Sequence, residues 1–433
     1  MSNSVAVQQK RFIRLAPSNN SSTGYGPVGS QPIIRFSVAD TQALALLKDA
    51  RLNAKISVTV GGAAPTIGQD INIDQVNGFC SAIDQVIVSS RRFGTQIEQV
   101  VNMGRLESSY YRSKYSPKMM SSHAFHSSRA IGIGRQNRWE GQGIDESRIT
   151  DPTLKAQRRS IISQKSVSLP FHVGMFLTDE PVDLSVVGGL ELAVYLQKPE
   201  AMFFGGAATT SMDYTLTDVH LTVPLIYKSS DMISQTPPEQ VIEFLNWTSL
   251  FSVLDSTVSS IAYRLYLSGL VAGIHNMLPT AQINSYGNNQ FALKSVGTER
   301  LTFLRDGQRA PLEKTMVVED SASAITIDKA TTYPEILTEY LSAWGPVRDT
   351  RYSQVIPQNV KGIVNRSGVM GLGCNYSPNG AGINVSGVLS LDVQSKIEDE
   401  TGSQPTQIEP YALYSFFLSR QAFVASPAGL KAM

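Results

Sequence analysis

Five histidines are the first residues to weigh for chemistry: His123, His126, His172, His220 and His275. His123-Ala-Phe-His126 has a spacing with which two imidazoles on one helix reach one metal ion, but it lies among Ser, Gly and Arg with no cysteine or carboxylate nearby. It reads as a loop pair. His172 and His220 fall on the outward phase of alternating segments and read as solvated or interface side chains. His275 adjoins an apolar run and reads as hydrogen-bonded and partly buried. Gly132-Ile-Gly134 and Gly371-Leu-Gly373 lack the later glycine and the strand–helix setting of a dinucleotide fingerprint, so they read as turns. Glu398-Asp399-Glu400 reads as a solvated turn rather than a cation site. Asn246-Trp-Thr248, Asn365-Arg-Ser367, Asn375-Tyr-Ser377 and Asn384-Val-Ser386 fit a glycosylation sequon, but in a chain without a signal peptide they read as ordinary asparagines. The two cysteines, Cys80 and Cys374, are too far apart to read as a zinc site or a disulfide framework, and a reducing compartment is the simpler setting. No phosphate loop, zincin helix or nucleophile elbow is present. The expectation is a protein without catalytic residues, metal or cofactor, and not an enzyme.

Charge narrows the function classes further. Lys and Arg number 37 against 36 Asp and Glu, a net charge of +1. Strong nucleic-acid binders neutralise phosphate with a basic excess, so no sequence-specific nucleic-acid contact is expected here. Arg91-Arg92 and Arg158-Arg159 flank Arg129, Arg135, Arg138 and Arg148. That group reads as a solvated or salt-bridged face, with an anionic partner as the alternative. The charged fraction is 17%, below the roughly 25% of ordinary domains, which points to a surface that meets other protein. Residues 1–27 lack the apolar core of a signal peptide. The most apolar stretch, Tyr263–Leu278, is interrupted by Arg264, Ser268 and His275, and no segment reaches the ~20 apolar residues of a membrane span. A protein neither secreted by that route nor transmembrane is expected.

The elements that would position any site are mostly strands. With 433 residues, two to three domains are expected. Val167, Leu169, Phe171, Val173, Met175 and Leu177 alternate over 167–177, the period of a half-buried antiparallel strand. Leu190, Leu192, Val194 and Leu196 do the same. Val219, Leu221, Val223, Leu225 and Tyr227 follow Tyr214 and Leu216 after a one-residue phase shift at Thr217–Asp218, which predicts a β-bulge. Ile261 to Leu267, Leu301 with Phe303, and Ile383 to Val393 repeat the pattern, the last with Gly387 at an in-phase gap. Tyr411–Leu418 is apolar on both faces and is predicted to lie in a sheet covered on two sides.

Helices are few in this reading. Thr236-Pro237-Pro238-Glu239 looks like a capping box leading through Val241, Phe244 and Leu245 to Trp247. Tyr333–Trp344 has Pro334 at its start and Gly345-Pro346 as its stop. Gln96–Ser108 is a third candidate. Residues 1–30 read as a flexible arm, since Ser18 to Gly24 is small and polar and needs docking to become ordered. A patternless loop at about 113–165 is long enough to be functional or ordered by a partner. The polar segment Ser229–Pro238 divides the remainder into 31–232 and 233–433. The architecture predicted is all-β, two β-sandwiches in tandem.

Order and content of these segments resemble the double jelly-roll major capsid proteins of the hexon-like lineage, of the polinton-like virus, adintovirus and virophage type. The resemblance is carried by Val167-Ser-Leu-Pro-Phe-His-Val-Gly-Met-Phe-Leu177, Gly188-Gly-Leu-Glu-Leu-Ala-Val-Tyr-Leu-Gln197 and Tyr214-Thr-Leu-Thr-Asp-Val-His-Leu221. Gln31-Pro-Ile-Ile-Arg-Phe36, Asp84–Asn102, Leu301-Thr-Phe-Leu-Arg-Asp-Gly-Gln-Arg-Ala-Pro311, the Gly-rich lead into Ile383–Val393 and the aromatic closing strand add to it. The 113–165 loop has no counterpart in that family.

What the resemblance implies is two tandem eight-stranded jelly rolls with a few short helices. It further implies a structural DNA-virus protein whose homotrimers act as pseudo-hexameric capsomers tiling an icosahedral capsid. The partners expected on that basis are further copies of itself, neighbouring capsomers, penton and minor capsid or cement proteins, and an inner membrane where one exists. The location would be the virion shell, after synthesis in the host cytoplasm or nucleus. The arm, with Lys10, Arg11 and Arg14, would contact neighbours during assembly. The helices 236–247 and 333–344 would pack beside the jelly rolls. Two alternatives stay open: a tandem β-sandwich that binds carbohydrate, for which Trp139, Trp247 and Trp344 offer few aromatic platforms, and a minor capsid or spike protein.

Overall fold

The computed structural model describes residues 10–28, 31–63, 72–74, 77–114, 164–178, 180–204, 211–228, 240–254, 258–286, 289–291, 298–309, 315–317, 334–344, 372–377, 381–395, 410–426 and 429–432. Strands dominate them, and the chain divides into two compact units. The first comprises Met1–Met103, Ala124–Trp247 and Gln421–Met433; the second comprises Gly104–His123 and Thr248–Arg420.

The strands of the first half are β1 (Lys10–Leu15), β2 (Ile33–Val38), β3 (Ala43–Ala45), β4 (Arg51–Val60), β5 (Asn72–Ile73), β6 (Ile83–Ser90), β7 (Gln96–Val101), β8 (Gln164–Pro170), β9 (Val182–Asp183), β10 (Leu190–Leu196), β11 (Phe203–Phe204) and β12 (Met212–Tyr227). Then come β13 (Gln240–Leu254), β14 (Val258–Pro279), β15 (Thr298–Arg305), β16 (Gln308–Arg309), β17 (Thr315–Val317), β18 (Leu372–Asn375), β19 (Ile383–Ser395), β20 (Tyr411–Ser426) and β21 (Gly429–Ala432). The longest helices described are Met103–Lys114 and Pro334–Ala343.

In the first unit one sheet has the order β8-β4-β12-β3-β9, with β1 added on β12. The other runs β7-β6-β10-β2, with β13 beside β7. Alternation decides which side faces in. In β10, Leu190, Leu192, Val194 and Leu196 are buried while Glu191 is exposed. In β4, Leu52, Ala54, Ile56 and Val58 are buried while Lys55 is exposed. Tyr214 of β12 ties the two sheets together, its hydroxyl donating to the Gln197 carbonyl at 2.7 Å beyond the end of β10. The bulge predicted at Thr217–Asp218 is present: the β12–β4 register shifts between Thr217 and His220, and Asp218 has φ +49°. The extra residue restores the inward phase to Val219, Leu221 and Val223.

In the second unit β14 lies between β19 and β20, and β15 flanks β19. From Ser260 to Tyr266 β14 is exposed on every second residue; from Leu270 to Leu278 both of its faces are buried. Tyr411 to Ser419 of β20 are likewise buried throughout, as their two apolar faces predict. Tyr263, Leu265, Phe303, Leu389, Leu391, Leu413 and Phe417 belong to one core cluster. Gly387 fills its in-phase gap because Asp306 Oδ1, which accepts from Val388 N–H at 2.9 Å, stands 2.0 Å from where a Cβ would be.

Several expectations are corrected. No helix runs from 240 to 247: Val241, Phe244, Leu245 and Trp247 belong to strand β13, and the capping-box residues 236–239 lie outside the described residues. The candidate helix Gln96–Ser108 is strand β7 followed by a helix that begins only at Met103, after Asn102 turns the chain with φ +58°. The eleven-residue strand at 167–177 stops at Pro170, and Gly174–Leu177 is a 3-10 turn. The helix starting at Pro334 is present, its last residues burying Tyr340, Ala343 and Trp344.

Candidate assembly surface

Lys10, Arg11 and Arg14, the residues assigned to an assembly arm, are held in β1. That strand docks on the chain's own sheet, antiparallel to β12, from Lys10 opposite Ile226 to Leu15 opposite Leu221. Lys10 Nζ pairs with Asp49 at 3.5 Å and lies over the Phe12 ring. Arg11 lies over the Tyr227 ring, 5.5 Å from its centre. Arg14 pairs at 2.8 Å with Asp218, the positive-φ residue of the bulge, and Lys55 reaches the same carboxylate at 3.9 Å. None of the six β1 side chains is fully buried, and Phe12 is 66% exposed. Beside the bulge is an open depression of about 300 Å³, lined by Asn53, Lys55, Ser166, Ser168, Asp218 and His220.

Three buried polar centres leave no motif in the sequence. In the first unit Glu98 of β7 is buried, and its carboxylate accepts three backbone N–H groups: Gly174 at 2.9 Å, Trp247 at 2.8 Å and Met175 at 3.3 Å. Burial raises its pKa to about 7, against the opposing pull of those three bonds. Gly174 is obligatory there, since a Cβ would stand 2.0 Å from the Leu245 carbonyl oxygen. In the same unit Lys228 Nζ is buried against Asp183, at 2.5 and 2.6 Å from its two oxygens, and donates to Ser185 Oγ at 2.8 Å.

The second unit holds a chain of three groups. Tyr263 Oη and Ser415 Oγ are 2.6 Å apart, and Ser415 Oγ lies 2.8 Å from His275 Nδ1. A serine beside an imidazole is the geometry of an activated nucleophile. Here all three side chains are buried, Phe303 and Phe417 pack on the imidazole, and burial lowers the His275 pKa to about 3. An imidazole held neutral at that value is a poor proton acceptor, so the arrangement works as a structural tie.

Of the other histidines, His172 departs from its outward reading: it lies beyond the end of β8, in a stretch buried on both phases, and is itself buried. His220 is half-exposed, with Nδ1 at 3.0 Å from the Asp218 carbonyl. His123, His126, Trp139, the Gly132 pair, Glu398 to Glu400 and almost all of the 113–165 loop lie outside the described residues. Among the described residues no group of three His, Cys, Asp or Glu can hold a metal, and no helix is long and apolar enough to cross a membrane. Cys80 and Cys374 are both buried as free thiols.

No protein-family model and no curated protein matches the sequence. Solved structures do match the fold. The Faustovirus major capsid protein aligns with 98% of this chain and 92% of its own, at TM-score 0.62 and 8% identity. The PBCV-1 virus capsid model aligns over 98% and 97% at TM-score 0.59 and 8% identity. The mavirus major capsid protein aligns over 98% and 90% at TM-score 0.50 and 12% identity. The chain therefore has the all-β, double jelly-roll fold found in viral major capsid proteins.

Proposed function

We propose that this protein is a structural major capsid protein, and that three copies form a pseudo-hexameric capsomer of an icosahedral shell. The observation that carries the reading is the extent of the match: 98% of this chain follows the fold of major capsid proteins along most of their own length. Two β-rich units in one chain give three copies six such units, and a closed three-fold ring hides sheet edges that would otherwise invite aggregation. The near-zero net charge suits a shell that does not itself grip nucleic acid. The partners in this reading are further copies, neighbouring capsomers, penton and minor capsid or cement proteins, and an inner membrane where one exists. Its place is the virion shell.

Light scattering on the purified protein tests the trimer. Three copies of a 47.1 kDa chain give about 141 kDa, and a sharp species of that mass that survives dilution is the expected result. A stable monomer overturns the preformed capsomer.

A further inference from the structure

We infer that β1 is an exchangeable strand: in the assembled shell it leaves its own β12 and completes the sheet of a second copy. The inference rests on the capsid reading and adds how neighbouring copies are joined. Residues 10–28 are held unevenly. Beyond Pro17 the chain is tied down. Ser18 N–H donates to the Arg35 carbonyl at 2.7 Å, and the Asn19 side chain bonds both Ile33 O and Arg35 N. Tyr25 is buried, exchanges backbone hydrogen bonds with Leu216 in both directions, and caps Asn19 O with its hydroxyl. Before Ala16 the picture reverses. β1 buries none of its side chains fully, and its two recorded ion pairs are half-exposed, with side-chain exposures of 45% and 54% for Lys10–Asp49 and 62% and 50% for Arg14–Asp218. Exposed pairs of that kind stabilise little.

The ion pairs add little, so β1 is held mainly by its backbone ladder on β12 and the half-buried Ile13 and Leu15, all of which a β1 of the same sequence from another copy can supply. That register is written into the strand itself. Lys10 finds Asp49 and Arg14 finds Asp218, four residues apart, so a β1 from another copy docks on the same two acids without loss. Ala16-Pro17 stands between the loosely held strand and the firmly held anchor. A proline at that point keeps the residue before it extended, so the connection between strand and anchor is a stretched one rather than a helical turn. Exchange of an identical element costs little in local free energy because every contact is remade, and in a ring it links each copy to the next. An edge left open on β12 is in any case a template that another strand will cover.

The test uses residues that face each other across the ladder, Ile13 of β1 and Val223 of β12. One population carries Ile13→Cys, a second carries Val223→Cys, and the two are mixed before assembly and oxidised afterwards. In this mixture a disulfide between the paired positions forms only between chains. Exchange predicts a crosslinked product of two 47.1 kDa chains on a non-reducing denaturing gel, present in assembled particles and absent from the unassembled mixture. A third variant with both substitutions in one chain reports the unexchanged state as an internal crosslink. Shells that form with only the internal crosslink, or with neither, overturn the exchange and leave the capsid reading intact. Absence of shells by electron microscopy for the unsubstituted protein overturns both.

Discussion

Each unit buries a titratable side chain in a setting of its own, Glu98 in the first and His275 in the second, and the two are accommodated by opposite means. Glu98 in the first unit is surrounded by donors, three backbone N–H groups from two separate segments. His275 in the second unit sits among rings, with a serine on Nδ1 and no partner on Nε2 among the described residues. The carboxylate organises its surroundings because its acceptors collect backbone groups that alternation alone would leave unpaired. The imidazole organises nothing around its charge, because it is kept neutral. The first unit thus uses a polar knot to fix the turn at 174–175 against strand β13 at Trp247, whereas the second relies on packed aromatic strands.

The difference has a sign in pH. The folded-state pKa of His275, about 3, lies below its ordinary 6.5, so the unfolded chain takes the proton first. Its contribution is complete above pH 6.5 and is lost as pH falls toward 3, a total on the order of 5 kcal/mol. Glu98 runs the other way. Its folded-state pKa, about 7, lies above its ordinary 4.5, so stability is complete below pH 4.5 and declines as pH rises to 7, on the order of 3 kcal/mol. Hydrogen exchange read on peptides around Ser415 and around Trp247 should therefore weaken at opposite ends of the pH range. The larger effect is the acid one in the second unit. Parallel pH profiles for the two peptides break the comparison.

Next in size is Glu98→Gln. The amide removes the slope between pH 4.5 and 7, but it turns one acceptor into a donor facing an N–H. The first unit should lose about 2 kcal/mol at pH 5, read by chemical denaturation, with the acid slope of the second unit unchanged. Loss of both slopes would mean the two centres titrate as one. The smallest effect expected is from Tyr263→Phe, which removes the hydroxyl at 2.6 Å from Ser415 and costs about 1 kcal/mol by thermal unfolding without altering either pH limb.

Much of the fold was legible because period two is a direct trace of sheet geometry. The bulge at Asp218, the doubly covered β20 and the alternation of β10 all left it in the residue order. The errors have physical causes. β7 hid as a helix because its inward Glu98 breaks the apolar alternation that marks a strand. β13 hid because Phe244 and Trp247 recur at helical spacing, while pairing beside β7 and β20 decides its form. His172 reads as outward because alternation runs on past Pro170, where the strand has already ended. Lys10, Arg11 and Arg14 were legible as a basic group, but not their docking, since Asp49 and Asp218 lie far along the chain. The Ser415–His275 contact joins strands of very different age in synthesis and leaves no local signal.

The same sequence separation governs the order in which the chain is made. β20 is buried on both faces along Tyr411 to Ser419, pairs with β14 through residues as far apart as Leu270 and Ser419, and continues as Gln421–Ser426 into the first unit. A nascent chain on the ribosome therefore carries the Leu270–Pro279 half of β14 without its β20 partner until β20 emerges, and neither unit has its full set of strands before then. Pairing across such sequence separation is slow, and apolar strands that wait are prone to associate with one another. The interval before β20 arrives is the one in which the apolar residues of β14 lack their partner strand and are most open to association with other chains.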